Sequence, residues 1–220
     1  MTTMPGPWLA RVARTLGVPL LLAASCAPPP DRASRAAWEE VVSPSFDCGA
    51  ARSSAQELVC EDTELARLDL RLDSVFALAL ARAGSMADAA RALPELRAHQ
   101  RGWVKGRDDC WKAGDLRTCV REAYRRRAAE LEAQYMLLEG RPPVFWFCDN
   151  DPTNEFVTSF YETDPPSARI ERGDRTVVAL LTPSASGSRY EGPFGIVFWT
   201  RGDEAQVDWP QGTSLSCVVR

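Results

Sequence analysis

The chain has almost no histidine and no closely spaced cysteine pair, and both absences narrow its possible functions. His99 is the only histidine among 220 residues, and no two cysteines stand in a CxxC spacing. Because structural zinc sites use clustered cysteine and histidine ligands, we expect no metal and no cofactor. The candidate nucleophile Ser186 has no histidine near it in the chain, so the protein is not predicted to be an enzyme.

Lysine is also scarce, and the charge balance is acidic. Lys105 and Lys112 are the only lysines among 26 basic residues, against 30 acidic residues. Within residues 142–220, 11 acidic residues outnumber 6 basic ones. Nucleic-acid-binding proteins need an excess of positive charge, so we expect no nucleic acid partner. The acidic C-terminal part favours a cationic partner.

No apolar run at the start of the chain is long enough to cross a bilayer. Residues 16–24, LGVPLLLAA, follow two arginines and lead through small residues to Cys26, as in a bacterial lipoprotein signal. We therefore predict a signal peptide over residues 1–26, lipid on Cys26 as the membrane anchor, and a tether over residues 27–44. Ala27 favours an outer-membrane lipoprotein of the cell envelope that faces the periplasm. The alternative is an ordinary secretory signal.

From residue 45 to 140, apolar residues recur at spacings of three and four, which predicts helices. Three such stripes run over residues 65–79, 93–107 and 116–138. Asp62 or Thr63 is expected to cap the first helix, Gly84 to end it, and Asp115 to cap the third. Three amphipathic helices with short connections predict an antiparallel three-helix bundle.

Beyond residue 140 the pattern changes to short β-rich runs separated by turn residues. Eight runs are present: VFWFC, EFVTSFYE, ARIE, RTVVALL, SRYE, GIVFW, AQVDW and LSCVV. Eight short strands within residues 144–220 predict a small antiparallel β-barrel, which closes its own edges. The chain is therefore predicted to be an α+β protein with a helical domain at residues 45–140 and a barrel domain at 144–220.

Six cysteines remain after Cys26, an even number that predicts disulfides in an exported chain. Cys148 lies in the first β run and Cys217 in the last. They form the evident pair, because a bond between them would join the two ends of the barrel and staple a small core.

The other four cysteines fall in the helical region. Cys60 precedes the first long helix, Cys110 follows the second and Cys119 begins the third, so these three should meet at one pole, within reach of Cys48. Two disulfides are predicted there. Three pairings are possible, of which Cys60–Cys110 with Cys48–Cys119 is slightly favoured.

The C-terminal segment resembles the MliC family, the membrane-bound lysozyme inhibitors of c-type lysozyme. The matching residues are Cys148, Gly173-Asp174, Ser184 to Tyr190, Phe198-Trp199, Gly202 to Ala205 and Cys217. The resemblance covers nearly all of residues 144–220 and implies a small envelope β-barrel that inhibits c-type lysozyme. The family's inhibitory residues are the Ser of an SGxxY motif and a Lys before the next turn glycine. These positions are Ser186 and Arg201 here.

The lysozyme-binding site that this resemblance implies occupies two turns. It comprises Ser186, Gly187, Tyr190, Arg201 and Gly202. A c-type lysozyme cleaves its substrate with two carboxyl groups that face each other across a cleft. A cation at Arg201 could sit between them beside the Ser186 hydroxyl. Arginine keeps the charge of the family's lysine, but it is bulkier and planar.

Nearby acidic residues are expected to speed the encounter with a cationic lysozyme. They are Asp149, Asp151, Glu191, Asp203 and Glu204. Such long-range attraction is a hypothesis about association rate, and it should weaken as ionic strength rises.

The helical part resembles the LprI N-terminal-domain family, another group linked to lysozyme inhibition. The matching residues are Phe46 to Cys48, Val59-Cys60, Leu65 to Leu72, Gln100 to Cys110, Cys119 and Tyr124. This resemblance spans about residues 46–131 and identifies no functional side chains. The alternative to a lysozyme inhibitor is an envelope module that binds peptidoglycan or another periplasmic protein through the barrel loops.

Overall fold

The structure is a computed structural model that describes residues 42–210 and 213–220. The predicted signal peptide, Cys26 and nearly all of the tether lie outside these residues. The described residues belong to one compact unit. Among them, no helix combines the length and apolarity that a membrane crossing requires.

Four α-helices form the N-terminal part of the described chain. They are α1 (Ser54–Glu61), α2 (Thr63–Gly84), α3 (Ala89–Asp108) and α4 (Leu116–Gln134). The three predicted long helices are confirmed as α2, α3 and α4, and the short α1 corrects the three-helix prediction. A capping box starts α1, since the Ser53 hydroxyl accepts from the Gln56 N–H and the Gln56 side chain accepts from the Ser53 N–H.

The predicted caps of two long helices are confirmed. Asp62 caps α2 by accepting from the backbone N–H groups of Glu64 and Leu65, and Asp115 caps α4 by accepting from Thr118. The guanidinium of Arg117 also donates to Asp62, at 2.7 Å. This hydrogen bond holds the pKa of Asp62 below its usual value.

A chain of buried polar groups crosses the helical core. The guanidinium of Arg107 donates to the Tyr124 hydroxyl at 2.6 Å, and that hydroxyl donates to Asp69 at 2.8 Å. The other oxygen of Asp69 accepts from the Ser45 N–H at 2.6 Å. Burial raises the pKa of Tyr124, so the phenol stays protonated and donates. The network ties the segment before α1 to α2, α3 and α4.

Both disulfides of the helical part are local, which corrects the favoured pairing. Cys48 bonds to Cys60 and Cys110 bonds to Cys119. Cys48 lies in a 3-10 turn just before α1, which carries Cys60. Cys110 lies in the 3-10 turn after α3, close in sequence to the first turn of α4. The cysteine-bearing segments do pack at one pole, but neighbours along the chain make the bonds.

The C-terminal part is a closed antiparallel barrel in which each strand pairs with the next and β8 pairs with β1. Its strands are β1 (Val144–Cys148), β2 (Asp151–Tyr161), β3 (Ser167–Arg172), β4 (Arg175–Thr182), β5 (Ser188–Glu191), β6 (Val197–Arg201), β7 (Glu204–Trp209) and β8 (Thr213–Val219). All eight predicted strands are confirmed. Cys148 and Cys217 face each other across β1 and β8 and are bonded, as predicted.

Aromatic side chains fill the barrel interior. Trp146, Phe156, Phe198 and Trp209 are at most 8% exposed. Phe198 meets Trp146 and Phe156 edge-on, with ring centroids 5.4 and 6.2 Å apart. Edge-to-face packing fits the quadrupoles of the rings and restrains each ring's orientation. The barrel therefore offers a firm support for the loops at its ends.

The outer surface of the barrel carries a second buried contact, because α4 packs against β3 and β4. Leu180 of β4 points away from the barrel core, since its neighbours Ala179 and Leu181 belong to that core. It is nevertheless only 2% exposed. On α4, Ala129 and Ala133 are fully buried although they lie outside the helical core. These small side chains let the helix approach the sheet closely.

Polar contacts reinforce the junction of the helical and β parts. Arg125 of α4 forms an ion pair with Asp164 in the β2–β3 loop, and this pair holds the pKa of Asp164 below its usual value. In the linker, the Arg141 N–H donates to the Phe160 carbonyl at 2.9 Å. The linker thus continues along the edge of β2 into the barrel.

Candidate functional site

Two connections of the barrel lie at the same end and next to each other. We call residues 183–187 between β4 and β5 the Ser186 loop, and residues 201–204 between β6 and β7 the Arg201 turn. Connections alternate between the two ends of an up-and-down barrel, so both fall at the end that also holds the β2–β3 loop. Strands β5 and β6 are hydrogen-bonded neighbours, with Ser188 opposite Thr200.

Gly187 is the point of closest approach between these two segments. Its φ is +67°, in the left-handed region that favours glycine. A Cβ on Gly187 would lie 2.1 Å from the Thr200 carbonyl oxygen and 2.8 Å from Cγ of Arg201. Only glycine allows this contact, so Gly187 brings the Ser186 loop directly against the Arg201 turn.

Glycine is favoured at position 202 for a different reason, which is its backbone conformation and not a lack of room for a side chain. Its φ is +60°, yet no atom lies within 4 Å of the place where a Cβ would stand. It allows the tight reversal that leaves Arg201 exposed at the end of β6, opposite Glu204.

The Ser186 loop is held by hydrogen bonds to its backbone carbonyl groups. These bonds do not involve the Ser186 side chain, which is exposed. The Ser184 hydroxyl donates to the carbonyl oxygens of Ser186 and Gly187, at 3.1 and 3.0 Å. The indole N–H of Trp199 donates to the same Ser186 carbonyl at 2.8 Å. Ser186 and Arg201 are both solvent-exposed. A hydroxyl and a cation are therefore presented side by side at one rim of the barrel.

Tyr190, the fifth predicted site residue, lies in the barrel core. It is 8% exposed and packs on Phe160, with ring centroids 5.3 Å apart. Burial raises the pKa of its phenol. Since the side chain is largely covered, Tyr190 supports β5 beneath the Ser186 loop and presents little surface to a partner.

The five predicted acidic residues divide between the two ends of the barrel. Asp203 and Glu204 stand on the Arg201 turn and are exposed. Asp149 and Asp151 flank the β1–β2 turn and Glu191 ends β5, all toward the opposite end. Only the first two therefore contribute charge beside Arg201.

Trp199 is not among the predicted site residues, but the structure places it against two of them, Ser186 and Arg201. The strand alternates, so Phe198 points inward while Trp199 and Arg201 lie on the outer face. The Arg201 guanidinium carbon lies 4.0 Å from the centroid of the Trp199 ring. The spacing of Trp199 and Arg201, two residues apart on a strand, is a signal that could have revealed this stacking.

The same end of the barrel also carries a concave surface. A shallow pocket of about 350 Å³ is lined in part by Arg141, Trp146, Thr200, Gly202 and Asp203. In the part of the chain that the structure describes, no group of three metal-ligating side chains is close enough to hold an ion. The groups that this rim presents to solvent are a hydroxyl, a cation, carboxylates and aromatic surface.

Family models match both halves of the chain. Residues 48–131 match the family described as lysozyme inhibitor LprI. Residues 146–216 match the family described as membrane-bound lysozyme-inhibitor of c-type lysozyme, MliC. Both resemblances predicted from the sequence motifs are confirmed.

Curated relatives extend this similarity over the two halves together. The chain is 33% identical over 206 residues to proteins named lipoprotein LprI from Mycobacterium bovis and Mycobacterium tuberculosis. The alignment covers 91% of this chain and 95% of each relative, so the order of helical part and barrel is shared. The chain belongs to the LprI lipoprotein family, with an LprI-type helical region followed by an MliC-type barrel.

Proposed function

We propose that the protein is an envelope inhibitor of c-type lysozyme that inserts Ser186 and Arg201 into the catalytic cleft of the enzyme. The descriptions of both matched families support the inhibitor role. The observation that carries the insertion is the juxtaposition of two exposed side chains at one rim, fixed by the contact of Gly187 with Thr200 and Arg201.

The electrostatics of a lysozyme cleft suit this arrangement. One catalytic carboxyl group is ionised and the other is protonated, so a guanidinium can pair with the first while remaining N–H groups find other acceptors. The Ser186 hydroxyl can donate to a carboxylate oxygen or accept from the protonated acid. Occupation of both positions leaves no room for the sugar whose bond is cleaved.

Rigidity of the support should raise the affinity. Two donors fix the Ser186 loop through its carbonyl groups, the Ser184 hydroxyl and the Trp199 indole N–H, and the barrel beneath it is closed and aromatic-filled. Little conformational freedom then remains to be lost when the two segments enter a cleft. Asp203 and Glu204 beside Arg201 would attract a cationic lysozyme from a distance.

The predicted lipid on Cys26 and the tether over residues 27–44 complete the proposal. They would hold the inhibitor at the membrane of the cell envelope, the location that the lipoprotein name of the relatives supports. The outer membrane, with the protein facing the periplasm, is the proposed site of attachment. Cys26 lies outside the described residues.

The test is inhibition of cell-wall lysis by a c-type lysozyme, together with the dissociation constant of the complex, using residues 27–220. Truncation of one partner of an interfacial charge pair costs about 2–5 kcal/mol. Arg201→Ala should therefore weaken binding by more than about tenfold. Arg175→Ala is the matched control, because Arg175 is exposed at the opposite end of the barrel.

An unchanged dissociation constant for Arg201→Ala would reject the insertion. Ser186→Ala should give a smaller loss, about two- to tenfold, because a neutral hydrogen bond contributes about 0.5–1.5 kcal/mol. If residues 27–220 leave lysis untouched but bind soluble peptidoglycan fragments, the envelope binding module takes the place of the inhibitor.

A further inference from the structure

Trp199 contacts both segments of the candidate site. It lies in the middle of β6, opposite Arg189 on β5 and Gln206 on β7. It faces outward and is half-buried. A large aromatic side chain on the outer face of a barrel is not required for the core, which Phe198 fills from the same strand.

One edge of the Trp199 ring holds the Ser186 loop. Its N–H donates to the Ser186 carbonyl at 2.8 Å, across 13 residues of sequence. Tryptophan has a single donor, and here that donor is used on the loop backbone. The bond fixes the height of the loop above β6, so it sets where the Ser186 hydroxyl stands.

The face of the same ring holds Arg201. The guanidinium carbon lies 4.0 Å from the ring centroid, well inside the range of about 6 Å for an attractive cation–π contact. A planar guanidinium can lie flat on the indole, which an ammonium cannot do. Arginine at this position is thus restrained by a surface that would restrain lysine less.

We infer that Trp199 is the positioning residue of the lysozyme-binding rim. Its N–H holds the Ser186 loop in place, and its ring face orients the Arg201 guanidinium. The inference rests on the proposed function and deepens it, because it makes the two inserted groups one unit. It also explains how Arg201 can stand where the resembling family has lysine. The indole orients the longer, planar group toward the same rim.

The first experiment is a double-mutant cycle in residues 27–220, measured as the dissociation constant for a c-type lysozyme. Trp199→Leu removes both contacts and should weaken binding about tenfold. In that background, Arg201→Ala should add less than about threefold, although alone it costs more than about tenfold. Trp111→Leu is the matched control, because Trp111 is 63% exposed in the helical part, and it should leave binding unchanged.

The conservative variant separates the two contacts. Trp199→Phe keeps an aromatic ring beneath Arg201 but removes the N–H to the Ser186 carbonyl. Arg201→Ala should still cost more than about tenfold in the Trp199→Phe background. Ser186→Ala should lose most of its own effect there, since the loop is no longer held in place. Fully multiplicative effects in all three cycles would overturn the inference.

A measurement without lysozyme separates this inference from the proposed function. By NMR, the side-chain protons of Arg201 should be shifted upfield by the indole, and Trp199→Leu should abolish that shift. If the chemical shifts of the Arg201 side-chain protons are the same in Trp199→Leu as in the wild type, the positioning role is overturned, whatever the binding data show. If the shift is present and lost as expected but Arg201→Ala leaves lysozyme binding unchanged, the positioning geometry stands and the proposed insertion fails.

Discussion

The helical part and the barrel are stabilised in different ways. Disulfides in the helical part close short segments of 12 and 9 residues, whereas the barrel disulfide joins cysteines 69 residues apart. The helical core contains the buried polar chain of Arg107, Tyr124 and Asp69, while the barrel core is aromatic. Disulfides between near neighbours in sequence and buried hydrogen bonds stabilise the helical part. One long-range disulfide and edge-to-face aromatic packing stabilise the barrel.

Loss of the barrel disulfide should have the largest effect on stability. In the chain-entropy view, a cross-link that spans about 70 residues stabilises by about 4 kcal/mol and one that spans about 10 residues by about 3 kcal/mol. Cys148→Ala with Cys217→Ala should therefore lower the free energy of unfolding more than Cys110→Ala with Cys119→Ala. Denaturant unfolding of residues 27–220 measures both. Equal losses would show that loop length does not distinguish the two parts.

The contact between the two parts can be tested next. Leu180→Ala should lower the free energy of unfolding by about 3 kcal/mol, as expected for a buried leucine. Because α4 covers this side chain, helical and β signals should both report the loss in circular dichroism melts. The matched control is Leu78→Ala, since Leu78 is 58% exposed. A loss confined to one spectroscopic signal would mean that the parts unfold independently.

The polar chain in the helical core should give a smaller loss. Tyr124→Phe removes the hydroxyl that joins Arg107 to Asp69 and leaves both buried charges short of a partner. Hydrogen bonds to charged groups are worth about 1.5–3 kcal/mol, so we expect a loss of about 2 kcal/mol in chemical unfolding. Tyr135→Phe serves as control, and it should change stability by less than about 0.5 kcal/mol. If Tyr124→Phe left the free energy of unfolding unchanged, the network would not contribute to stability.

The smallest expected effect is the pH dependence of the α2 cap. The pKa of Asp62 is lowered in the folded state by Arg117, so the ionised carboxylate stabilises the fold above its unfolded pKa of about 4. That contribution disappears as the pH falls through the lower folded pKa. Asp62→Asn keeps a capping group but loses the charge. The variant should be less stable than the wild type by at most about 1 kcal/mol at pH 6.

The difference between wild type and Asp62→Asn should shrink between about pH 5 and pH 3. Unfolding free energies at several pH values measure it. A difference that stays constant over this range would show that the ion pair of Asp62 with Arg117 does not contribute to the stability of α2.

Local signals explain why much of the fold followed from the sequence. The caps at Asp62 and Asp115 and all eight strands depend on neighbouring residues. The short helix α1 could also have been predicted, because Ser53 and Gln56 form a capping box. The pairing of the helical disulfides could not be predicted, since four cysteines at one pole allow three pairings until distances are known. The split of the acidic residues between the two ends of the barrel likewise required the barrel topology.

From the sequence we could infer the family, the order of a helical part before a β part, and the pairing of Cys148 with Cys217. The first two follow from motifs, periodicity and turn residues that act over short distances. The pairing follows from the positions of the two cysteines in the first and last β runs. The folded structure was needed to show that Gly187 touches Thr200 and that Trp199 contacts both the Ser186 carbonyl and the Arg201 guanidinium. Strand register and barrel closure create those contacts, and no local pattern encodes the distance between two loops.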